Sequence, residues 1–179
     1  MLLNMRSFIV LIFFYVFLSC SENKTRYPLN KNSNFFLKSS ANRNKTQIAR
    51  EEFLLKKAAK LDSSINYNVS ESGFLYAYIK KNNESSLPKK GTQVRFKYQI
   101  ENLEKNIIYN YKELGVVDYL IDQENLLPAL REGLRIMRAG EVVVFLFPSY
   151  LCYSYQGDGD KIGKNQPLRF TVERVPLIN

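Results

Sequence analysis

The apolar positions fall into four regimes along the chain. An unbroken apolar run, Phe8 to Leu18, is followed by a polar stretch to about residue 45, then a segment of helical period, then alternation to the end. Ile48, Phe53, Leu54, Leu55, Ala58 and Leu61, with Arg50, Glu51, Lys56 and Lys57 between them, predict an amphipathic helix with Thr46 as its N-cap. Beyond Asn68 the period becomes two. Phe74, Tyr76 and Tyr78 share one face of a strand, Val94, Phe96, Tyr98 and Ile100 share that of a second, and Pro88-Lys89-Lys90-Gly91 marks the turn between. Ile107-Ile108-Tyr109 and Val116-Val117 read as short strands, and a helix begins near Pro128, favoured in a first turn, and runs to Met137 before Gly140. Val142 to Phe147 is apolar throughout, as a central strand is, and Leu168, Phe170 and Val172 alternate along a last strand. The predicted class is α+β: an antiparallel β-sheet wrapped around a short helix, preceded by an N-terminal helix and a tether.

Composition narrows the picture. A chain of 179 residues accommodates one main domain. Its 26 Lys and Arg against 17 Asp and Glu give +9, but much of the excess sits in the Asn-, Lys- and Ser-rich segment 21–45, without basic residues interleaved among stacking aromatics, so no nucleic-acid partner is expected. Histidine is absent and the two cysteines, Cys20 and Cys152, differ in context, which removes histidine-dependent nucleophilic catalysis and ordinary zinc sites; no metal and no cofactor is expected.

Arg6, the apolar run and the closing Ser19-Cys20 read as an export signal. A small residue before cysteine at this place resembles the lipobox of bacterial lipoproteins, with Phe17 where leucine is usual; an ordinary signal peptide or an uncleaved anchor stays open. The expected layout is a lipoprotein signal peptide over 1–19, lipidated Cys20 and a flexible tether over 20–45, an N-terminal helix and strand extension over 46–87, and the main domain over 88–179. Cys152, in an aromatic stretch, is expected to be a small buried residue. The helix over 47–61 has three readings: packing on the domain, pairing with a second copy in a homodimer, or binding a partner.

Three features then follow in fixed order: a helix with Gly133 and Met137, a strand ending in Pro148-Ser149, and Leu151-Cys152-Tyr153-Ser154 with Gly157, Ile162, Asn165 and the closing Leu168-Arg169-Phe170-Thr171-Val172-Glu173. This order resembles the FKBP-type peptidyl-prolyl cis-trans isomerases over residues 88 to 175. Val94-Arg95-Phe96-Lys97-Tyr98 and Leu126-Leu127 extend the likeness. Within the family, the Cys20 segment, Gly73-Phe74-Leu75-Tyr76, Ile108-Tyr109, Phe147-Pro148-Ser149-Tyr150, Gly157-Asp158 and Lys161-Ile162 are similar to the gliding-motility-associated lipoprotein isomerases.

The resemblance implies rotation about Xaa–Pro bonds. The peptide C–N bond resists rotation by roughly 18–20 kcal/mol because it is partly double. Twisting removes that conjugation and leaves a less dipolar amide, which an apolar cavity favours without nucleophile, metal or base. By resemblance Tyr153, Tyr98 and Phe170 are the catalytic positions, with the Tyr153 hydroxyl donating to the substrate carbonyl. Tyr109, Val117, Leu126, Leu127, Leu130 and Ile162 complete the cavity, under a loop over 154–165. Leu130 stands where many members carry Trp, Asn110 where they carry Asp, and Cys152 and Ser154 where they carry Ala and Gly.

The implied role is an envelope isomerase, facing the periplasm and held to the membrane by its lipid, that assists folding of exported proteins, those of a gliding apparatus among them; its partners are proline-containing unfolded chains. The alternative is a catalytically weak chaperone or binding module of the same fold. On spacing alone the aromatic strand residues read first as core. Asp158-Gly159-Asp160 reads as a hairpin tip rather than a calcium loop, since the liganding pattern stops after two carboxylates.

Overall fold

The computed structural model describes residues 33–83 and 85–177. From Ala41 onward they form one compact unit. Expectations for the signal segment, Cys20 and the start of the tether lie outside these residues.

The chain enters through helix α1, Ser33–Leu61, and continues with strands β1, Asn68–Val69, β2, Leu75–Lys80, and β3, Gln93–Glu101. Strand β4, Ile107–Tyr109, a one-turn helix α2, Tyr111–Leu114, and strand β5, Val116–Leu120, come next. Helix α3, Pro128–Arg135, then leads to β6, Val142–Phe147, a 3₁₀ turn, Ser149–Leu151, and β7, Leu168–Val175. Every strand pairing is antiparallel, and the order across the sheet is β1-β2-β6-β7-β3-β4, with β5 also paired to β3.

The period-two pattern fixes the faces. Phe96 and Ile100 of β3, Val143, Phe145 and Phe147 of β6, and Phe170 and Val172 of β7 all turn to the side occupied by α3, which contributes Ala129, Leu130 and Leu134 to the same cluster. Gly133 sits where α3 approaches most closely: a Cβ there would lie 3.0 Å from Cζ of Phe145. The helix ends at Arg135, two residues before the sequence suggests, and Met137 is buried in the turn that follows.

Leu75 and Leu146 point to the opposite face and bury Leu55 of α1 between them. This second contact explains why Val142 to Phe147 shows no alternation: both faces of the strand are covered. Glu51, one turn earlier on the helix, is only 2% exposed, and its carboxylate accepts hydrogen bonds from Ser149 N (2.7 Å) and Ser149 Oγ (2.7 Å). Just past the helix, buried Asp62 meets Arg169 Nη1 at 2.9 Å and Lys105 Nζ at 2.9 Å, while Arg169 Nε reaches Glu101 at 3.0 Å. Thus α1 packs on the domain.

The helix corrects the expected tether. Residues 33–45 are helical, and Thr46 lies inside α1, its Oγ1 donating to the Asn42 carbonyl, rather than capping it. The segment 33–61 has neither Gly nor Pro to stop a helix, and before Ile48 it lacks the apolar periodicity from which a helix is read.

Candidate active site

Four strands, one helix and the segments between them deliver the candidate residues to one place. Tyr98 comes from β3, Phe170 from β7, Val117 from β5 and Tyr109 from the end of β4. Leu126 and Leu127 lead into α3, which brings Leu130; Tyr153 follows the 3₁₀ turn, and Ile162 lies in the loop before β7. All nine belong to a single apolar cluster. Leu130, Ile162 and Phe170 are buried, and the other six are half-buried around them. Phe170 stacks on Tyr98 with ring centroids 6.0 Å apart and meets Phe147 edge-on at 5.4 Å. Phe147, which the sequence reading treated as strand core, therefore backs the wall formed by Phe170.

The three tyrosines differ in how their hydroxyls are used. Tyr109 Oη donates to Asp158 Oδ2 at 2.5 Å and lies 3.3 Å from Asp160 Oδ2. That bond favours the neutral phenol and raises the Tyr109 pKa to about 12. The hydroxyls of Tyr98 and Tyr153 make no hydrogen bond to another described residue. Burial pushes both pKa values up, so each keeps its proton through neutral pH and remains a donor.

The loop after Tyr153 is shaped by Asp158, whose role sequence reasoning missed. Its Oδ1 accepts from Asp160 N (2.9 Å) and Ile162 N (2.8 Å), an Asx-type turn, while Oδ2 holds Tyr109. Burial opposes ionisation of Asp158, but these bonds outweigh it and its pKa is lowered. Lys161 completes the junction, with Nζ 4.5 Å from the Tyr109 ring centre and 2.9 Å from Glu113. Gly157 closes the turn at a φ of 72°, and a Cβ there would run into the Ile162 carbonyl oxygen.

Asn110, one of the departures from the family pattern, has a local explanation. Its side chain accepts from Lys112 N and Glu113 N while Glu113 returns a bond to Asn110 N, a complete capping box for α2. Leu130, a second departure, is only 2% exposed, so the floor of the cluster is filled by aliphatic packing. Cys152 is buried as expected, and burial drives its thiol pKa up. Among the described residues no three Cys, Asp or Glu side chains converge as metal ligands.

Comparison with known proteins bears on the family and the fold. Residues 84–175 match the model of the FKBP-type peptidyl-prolyl cis-trans isomerases. The chain is 32% identical over 128 residues to a probable FKBP-type peptidyl-prolyl cis-trans isomerase FkpA of Neisseria meningitidis serogroup B, an alignment covering 71% of this chain and 44% of that one. It thus spans less than half the length of that relative. Among solved structures, FkpA of Escherichia coli superposes with a TM-score of 0.58 at 23% identity, over 80% of this chain and 67% of that one. A peptidyl-prolyl cis-trans isomerase of Pseudomonas syringae pv. tomato gives 0.59 at 16% identity, over 75% and 96%. These two likenesses show the fold. With the family model spanning just over half of its length, the chain belongs to the FKBP-type peptidyl-prolyl cis-trans isomerase family.

Proposed function

We propose that the protein catalyses cis-trans isomerisation of Xaa–Pro bonds in exported polypeptides. The observation that carries this reading is the gathering of half-buried Tyr98, Tyr109 and Tyr153 in one apolar cluster with buried Phe170, in which the Tyr98 and Tyr153 phenols keep their protons and make no bond to another described residue. A proline ring seated against the half-buried Tyr98 and Tyr153 rings, which buried Phe170 backs, would find apolar surroundings that favour the twisted amide. The Tyr153 O–H would meet its carbonyl. Without catalysis the exchange takes tens of seconds or more, so even a modest reduction of the barrier is useful to a folding chain.

The full-length protein should accelerate isomerisation of a peptide with an apolar residue before proline, followed by exchange NMR. Tyr153→Phe should lower kcat/KM about three- to tenfold, the worth of one neutral hydrogen bond. A rate no faster than the uncatalysed one would sink the reading.

The filled floor at Leu130 favours a second reading, a binding module that holds proline-containing segments with little turnover. It predicts suppression of client aggregation by the wild-type protein and equally by Tyr153→Ala. For cellular placement we propose acylation at Cys20 and a periplasm-facing, membrane-held domain, supported by the apolar run Phe8 to Leu18 ending at Ser19-Cys20. Mass spectrometry of the N-terminal peptide tests it. The likeness to gliding-motility-associated isomerases supports surface-apparatus proteins as clients, to be sought by crosslinking from the Tyr153 loop.

A further inference from the structure

The net charge of the chain is unevenly placed. Residues 62–179 carry fifteen Lys and Arg against fourteen Asp and Glu, whereas Ser33–Leu61 carries seven against Glu51 and Glu52. Glu51 is buried against Ser149 and Glu52 pairs with Lys56 at 2.6 Å, so neither offsets the rest of the outer face of α1.

That face has a definite composition. Glu51, Leu55 and Ala58, at i, i+4 and i+7, turn toward the domain. Arg50, Phe53, Lys57 and Lys60, at i, i+3, i+7 and i+10, form a stripe on the other side, all exposed. Arg50, Lys57 and Lys60 make no ion pair with another described residue. Phe53 stands among them 67% exposed, and Leu61 at the end of the helix is 76% exposed. An apolar aromatic encircled by cations is costly to leave in water and matches a surface that is negative outside and apolar just beneath.

We propose that the outer face of α1 docks on an anionic phospholipid bilayer, with Arg50, Lys57 and Lys60 over the headgroups and Phe53 in the acyl boundary. Charge complementarity selects this partner, and the exposed Phe53 and Leu61 favour a bilayer over a nucleic acid, which would have no place for an aliphatic side chain. The contact is separate from any acyl chain on Cys20. It would lay α1 along the membrane and turn the opposite, domain-bearing side away from it.

The chain has no tryptophan, so Phe53→Trp in the full-length protein is a single local reporter. With vesicles of phosphatidylcholine containing 30 mole per cent, roughly the anionic fraction such a surface requires, of phosphatidylglycerol, the indole emission should shift to the blue and be quenched by brominated lipid. Both responses should vanish in pure phosphatidylcholine, even if the apolar N-terminal segment holds the protein there, and fade in high salt. Adding Arg50→Gln, Lys57→Gln and Lys60→Gln should weaken the response on the order of a hundredfold, about fivefold per cation. Activity on a soluble Xaa–Pro peptide should be unchanged, which separates this contact from the isomerase reading. An indole that stays water-exposed on anionic vesicles overturns the proposal, as does a response to single-stranded nucleic acid alone.

Discussion

Tyr109 works through both of its ends: the ring belongs to the apolar cluster, and the hydroxyl ties β4 to the loop that Asp158 folds. Since the bond to Asp158 raises its pKa from 10.0 to about 12, its contribution to stability is fully present below about pH 10 and is lost as pH rises toward about 12. Asp158→Asn should return the phenol toward its ordinary range, seen as an earlier phenolate absorbance step that is missing when Tyr109→Phe is added. At the floor, Leu130→Trp should cost about 1–3 kcal/mol in denaturant unfolding, because a site with 2% exposure has no room for an indole. Unchanged stability would mean that the floor can open. The aromatic positions were legible because ordered motifs carried them. Asp158 was legible only as a turn residue, since its partner Tyr109 lies 49 positions away and no local pattern records that pairing.

Helix α1 shows which elements a hydrophobic pattern can and cannot convey. The strands were readable from alternation, and β6 from the lack of it, because burial on one or two faces writes itself into the sequence. Among the described side chains, residues 37–47 of α1 include none that is buried, so this half of the helix left no such record. Glu51 was misread for the opposite reason: an acid between apolar positions looks solvated, and only its bonds to Ser149, 98 residues away, account for its burial. Leu55→Ala should cost about 2–5 kcal/mol by emptying the contact with Leu75 and Leu146. Glu51→Ala should cost about 1–3 kcal/mol by stranding the Ser149 N–H, with both measured by urea unfolding. If Glu51→Ala is silent, water replaces the carboxylate and the helix is less firmly joined to the Tyr153 turn than the bonds suggest.

At the scale of the whole molecule, the buried ionic group of Asp62, Glu101 and Arg169 joins the end of α1 to β3 and β7. Burial alone would raise the Asp62 pKa, but bonds from Lys105, Arg169 and Ser64 prevail and lower it from 3.8 to about 2. Its stabilising contribution is therefore present above about pH 4 and lost as pH falls toward 2, and Asp62→Asn should flatten that part of the acid unfolding curve. Arg169→Ala should cost about 3–5 kcal/mol, since buried Glu101 loses its cation and buried Asp62 is left with Lys105 alone. Cys152 offers a view of the same molecule in time. The residue is 8% exposed and adjoins Tyr153, and burial suppresses ionisation of its thiol. A thiol-directed label can reach it only while the turn is open, so in a Cys20→Ser background the labelling rate becomes a clock for that opening. A proline-containing peptide that binds against Tyr153 and its neighbours should slow this clock in proportion to its occupancy, giving an affinity measurement that needs no turnover at all.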